Sequence, residues 1–86
     1  MPNIRYHQDL SAEIVRLLKE ERMRRKLSRY AVSKKSGVSQ SMLSLVERGL
    51  RNPTMELVLR IADGIGADLA VLIKRAERTA KKSAGV

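Results

Sequence analysis

With 86 residues the chain has room for one domain, and a domain this small buries only about 60% of the surface its unfolded form exposes, so its core must be economical. It contains no cysteine, Phe or Trp, which excludes a disulfide scaffold and a thiolate metal site and leaves an aliphatic core of packed helices as the natural solution. Eighteen Lys and Arg against nine Asp and Glu give a net charge of +9, a field that draws polyanions but that a merely solvated surface would also show, so the order of residues along the chain must decide.

From Asp9 onward, Leu10, Ile14, Leu17 and Leu18 recur at i, i+4, i+7 and i+8, which predicts a first helix with Asp9 or Ser11 as its cap. Residues 1–8 read as a flexible lead-in, residues 9–82 as the folded domain and residues 83–86 as a frayed end. Ser28 stands at an N-cap position, and a two-turn helix carrying Ala31, Val32 and Lys35 at helical spacing runs from Arg29 to Ser36 until Gly37 stops it. Ser39 caps a third helix, Gln40 to Arg48, with Leu43 and Val46 three apart and Gly49 behind it.

Two short helices joined by a glycine-containing turn must cross steeply rather than lie side by side. Beyond the loop from Leu50 to Pro53, Thr54 caps a fourth helix whose inner side carries Leu57, Val58, Ile61, Ala62 and Ile65, with Gly64 and Gly66 as its punctuation. Asp68 caps the last segment, where Leu69, Leu72, Ile73 and Ala76 make an i, i+3, i+4, i+7 stripe. A strand over residues 69–74 is the rival reading, but the good helix formers from Ala76 to Lys82 favour helix.

The run from Leu27 to Gly49, with Ser28, Ala31-Val32-Ser33, Gly37-Val38-Ser39-Gln40, Leu43 and Val46-Glu47, resembles the helix-turn-helix family of phage Cro and CI repressors, the XRE family. Asn52-Pro53-Thr54, followed by Leu57-Val58-Leu59-Arg60-Ile61-Ala62, extends the resemblance, which covers roughly residues 22–73. It implies an all-α, compact five-helix lambda-repressor-like domain. Its expected partner is double-stranded DNA, read as a homodimer on a palindromic operator, and the expected role is that of a transcriptional repressor. Where the family usually has Gln at the start of the second helix, this chain has Arg29, so a direct charge contact with phosphate is expected there.

In such folds the second helix of the pair lies in the major groove. The resemblance then makes Gln40, Ser41, Ser44 and Leu45 the base-contacting residues, with Leu43 and Val46 turned to the core. The amide of Gln40 suits N6 and N7 of adenine, and Leu45 suits a thymine methyl, although an inward-packed Leu45 is the equal alternative. Arg29, Lys34, Arg48, Arg51 and Asn52 are expected on phosphates, contacts that fix register without reading sequence. Glu47 sits oddly in a helix that faces DNA, and the family pattern pairs such an acid with a base on the first helix, here Arg22.

Other chemistries find little support. His7 is the only histidine, so neither a metal site nor a cofactor is expected, and nothing suggests an enzyme. No apolar run approaches the 18 residues of a membrane span and no leader pattern is present, so a cytoplasmic protein without a membrane partner is expected. The main rival is an antitoxin that binds DNA and also neutralises a protein toxin. The short stretch after Ile73 favours a stand-alone regulator, and control of a restriction-modification system is a third reading.

Overall fold

The computed structural model describes residues 4–83, which form five helices and, among the described residues, no strand. They are α1 (Ile4–Arg24), α2 (Arg29–Ser36), α3 (Gln40–Glu47), α4 (Met55–Ile65) and α5 (Leu69–Ser83). The all-α class is as expected, and residues 69–74 are helix.

The start of α1 corrects the sequence reading. Residues 4–8 belong to the helix and not to a lead-in, because neither Gly nor Pro interrupts the stretch from Ile4 to Asp9. Asp9 is therefore not a cap but an interior residue, with a carboxylate oxygen 4.0 Å from Arg5 Nε one turn back. At the other end Ser83, read as part of the frayed terminus, closes α5. Residues 1–3 and 84–86, the remainder of those two segments, lie outside the described residues.

Local chemistry sets the other starts. The side-chain oxygens of Ser28, Ser39 and Thr54 accept from the backbone N–H groups of Ala31, Met42 and Leu57 at 3.0, 3.1 and 3.1 Å. Asp68 accepts from Val71 N–H at 3.3 Å in the same manner. Each bond satisfies one of the orphan donors of a first turn, a device that contributes about 1 kcal/mol. Between α2 and α3 the chain turns at Gly37, whose φ of 75° is left-handed and whose N–H donates to Ser33 O. Val38 N–H then donates to Ser36 Oγ at 3.1 Å, which drops the Val38 side chain into the core.

That core joins Leu17 and Leu18 of α1, Val32 of α2, Val38 of the turn, Leu43 and Val46 of α3, Ile61, Ala62 and Ile65 of α4, and Leu72 and Ala76 of α5. Helix α1 packs along α5, and α2 packs against α4. The inner face of α2 consists of Val32 and Ser36, while Lys35, read as part of its periodic set, is exposed.

Gly64 is a second correction. It does not punctuate α4 but lies buried within it, and Gly66 alone takes the left-handed C-cap, with φ 79°. A Cβ on residue 64 would stand 2.9 Å from Ser36 Cβ and 3.1 Å from Val32 O, so the missing side chain is what lets α4 approach α2 closely. Gly64→Ala is expected to destabilise the fold by about 1 kcal/mol, because overpacking against backbone costs about 1–3 kcal/mol and better helix propensity returns about 1. Chemical denaturation would read the loss, and an unchanged midpoint would mean that the contact relaxes freely.

Candidate nucleic-acid interface

Two of the elements that carry the expected contacts, the start of α2 and α3, are tied to α1 by one ionic cluster. Arg22 on α1 donates from Nε to Glu47 Oε2 at 2.7 Å and from Nη2 to Glu47 Oε1 at 3.0 Å, a fork-to-fork pair. Its Nη1 donates to Leu27 O at 2.7 Å, which ties the α1–α2 turn into the same cluster. Arg29 Nε adds a further bond to Glu47 Oε1 at 2.9 Å. The side chains of Glu47 and Arg22 are only 4% and 11% exposed, against 38% for Arg29, so the carboxylate at the end of α3 is both buried and saturated by guanidinium groups. Burial pushes the Glu47 carboxyl up, but the hydrogen bonds from Arg22 and Arg29 outweigh it and hold the group below its ordinary range.

This arrangement removes the one carboxylate of α3 from the outer surface. What faces outward is a shallow depression lined by Arg29 of α2, Gln40, Ser41, Ser44 and Leu45 of α3, and Arg48 just beyond it. No carboxylate lines it. Gln40 and Ser41 are exposed, and Ser44 and Leu45 are half-buried, so Leu45 contributes apolar surface to the depression. Leu43 and Val46 are buried on the opposite side, and Met42 packs against the core. Hydrogen-bonding amide and hydroxyls, one aliphatic side chain and two guanidinium groups thus share one concave surface on α2 and α3.

The remaining expected contacts are distributed around it. Arg48, Arg51 and Asn52 are exposed, and all three line a broad groove between α1 and the α3–α4 loop. Arg51 and Asn52 also border a second groove with Ser39 and Met42, next to the cap of α3. Asn52 Oδ1 is 3.5 Å from Ser11 Oγ of α1. Lys34 is not part of the depression; its ammonium lies 5.2 Å from the centre of the Tyr30 ring on the exposed side of α2.

Two features escaped the sequence reading. Arg29 was assigned to phosphate alone, yet its Nε braces Glu47, and only its terminal nitrogens are left without a partner among the described residues. The outer face of α1 was not singled out at all, although it forms a wall of the broad groove; cations at Arg16 and Lys19, one turn apart, were the available signal. Among the described residues no cluster of His, Asp or Glu could hold a metal ion, and no helix is long and apolar enough to cross a membrane.

No curated protein and no solved structure matches the chain. The family described as helix-turn-helix matches residues 18–72, from the middle of α1 into α5 and more than half of the sequence. That family is a DNA-binding, non-enzymatic one. The chain therefore belongs to the helix-turn-helix family of the XRE, Cro and CI type, and it is a DNA-binding transcriptional regulator.

Proposed function

We propose that the protein is a repressor that binds a palindromic operator as a homodimer, inserting α3 into the major groove of each half-site. The observation that carries this reading is the single depression in which Arg29, Gln40, Ser41, Ser44, Leu45 and Arg48 meet without a carboxylate. In this reading Gln40, Ser41, Ser44 and Leu45 contact base edges, the amide of Gln40 pairing with adenine and Leu45 with a thymine methyl. Arg29, Lys34, Arg48, Arg51 and Asn52 take phosphates and set the register. A dimer is required because eight residues of α3 read few base pairs, and exposed Leu59 on α4 and Val71 on α5 offer apolar surface for a seam.

Selection from a random duplex pool tests the proposal. The expected product is an inverted repeat with half-site centres about 34 Å, or 10 to 10.5 base pairs, apart. Affinity for it should fall with log-log salt slope of about −0.9 per phosphate neutralised. Recovery of no enriched sequence would refute the operator, and a single unrepeated half-site would refute the dimer.

A further inference from the structure

We propose that the DNA interface extends beyond the helix-turn-helix, with the phosphate backbone running from Arg48 into the broad groove against the outer face of α1. Lys19 is then its principal cation, and Gln8 and Ser11 are polar contacts further along. The inference rests on α3 being the reading helix.

Arg48 lines both the reading depression and the broad groove, so it forms the ridge between them and the two surfaces are continuous. A backbone held by Arg48 and Arg51 on one wall has α1 as the other wall. That wall suits a polyanion. Gln8, Ser11, Val15 and Lys19 follow one another at three or four residues, which places them in a row along one face of α1. At a rise of 1.5 Å per residue the row is about 16 Å long, enough to follow more than one phosphate of a strand. Ala12 and Val15 keep the floor between the polar positions low.

The charges within the groove are also unbalanced in the required sense. Glu47, its only carboxylate, is buried and matched by Arg22 and Arg29. Arg16 is occupied by Glu13 and Glu20, each at 2.7 Å. Lys19, Arg48 and Arg51 have no carboxylate partner among the described residues, so three cations stand free along one groove. The bond from Ser11 Oγ to Asn52 Oδ1, at 3.5 Å, is far longer than the usual 2.7–2.8 Å, so the Ser11 hydroxyl can turn to an anion, and the Asn52 amide NH2 remains a donor. Gln8 and Ser11 lie on α1 ahead of residue 18, where the family match begins.

The test compares Lys19→Ala with Lys74→Ala, the latter removing an exposed cation of α5 that lines neither groove. Binding is measured from 0.05 to 0.3 M salt on the selected duplex and on random duplex. Lys19→Ala is expected to shorten the salt slope by about one unit and to weaken binding roughly five- to tenfold at 0.1 M on both duplexes, with base preference unchanged. Gln8→Glu, which places a negative charge about three turns away in the same row, should weaken both as well, and Lys74→Ala should do neither. A Lys19→Ala slope equal to that of the unmodified protein overturns the proposal, as does an equal effect from Lys74→Ala. In either case a loss of base preference in Gln40→Ala would leave α3 as the reading helix, whereas an unmodified protein without sequence preference would sink both readings.

Discussion

Replacing Glu47 by alanine is expected to destabilise the domain by about 3–5 kcal/mol, the loss found when one partner of a buried ion pair is removed. The reason lies with the partner left behind. Arg22 is 11% exposed and keeps only its bond to Leu27 O, so its charge stays buried with one carbonyl in place of a carboxylate. Arg29, being more exposed, can turn to water. Removing Arg22 instead leaves Glu47 with Arg29, so Arg22→Met should be the milder change. A small domain has only about 5–15 kcal/mol in total, and a urea midpoint lower by more than 1 M is expected for Glu47→Ala at slopes of about 1–3 kcal/mol per molar. The double variant Arg22→Met/Glu47→Leu should recover most of the loss, since a packed apolar pair often equals a buried ion pair. If it were no more stable than Glu47→Ala, an uncompensated charge would not be the cause.

The same cluster fixes a pH dependence and its sign. The Glu47 carboxyl titrates lower in the folded than in the unfolded chain, because hydrogen bonds from Arg22 and Arg29 overcome the burial that pushes it up. Its contribution is therefore complete above the unfolded carboxylate value of about 4.3 and is lost as pH falls through the lower folded value. The stability gap between the unmodified protein and Glu47→Gln should be constant near neutrality and shrink below about pH 4. Denaturation at a series of pH values reads this directly, and a gap that widened in acid would reverse the assignment.

What the sequence made legible follows the range of the interactions involved. Ser28, Ser39 and Thr54 announce helix starts because a cap acts on a backbone N–H three residues away, and all three do so here. The good helix formers from Ala76 to Lys82 separated helix from strand for the same reason, propensity being local. Gly64 was misread because its reason is Ser36, which lies 28 residues earlier and reaches it only through the packing of α2 on α4. Asp9 resembles a cap in isolation, yet residues 4–8 continue the helix with no signal stronger than the absence of a breaker. At the site, α3 could be phased from Leu43 and Val46, whereas the double duty of Arg29 depends on Glu47, 18 residues away, and was not visible locally.

Gln40→Ala and Arg51→Ala should fail in different ways on DNA, and the difference tests the division of labour on this surface. Gln40 opens α3, is exposed, and stands in a depression flanked by Arg29 and Arg48, so the charges that hold the duplex survive its removal. What is lost is a bidentate amide contact, worth about 1–3 kcal/mol between the right and the wrong base. Affinity for the selected site should fall by roughly five- to 150-fold while affinity for random duplex and the salt slope stay unchanged. Arg51 lies outside that depression, exposed in the loop after α3, and offers a charge to the backbone without reaching a base in the proposed arrangement. Its removal should weaken every sequence alike and shorten the slope by about one unit. Equal losses from both variants on specific and random duplex would mean that Gln40 is another backbone contact and that α3 does not enter the groove by its first turn. The opposite assignment, with Arg51 altering base preference, would move the reading surface to the loop and leave the depression on α3 without its proposed role.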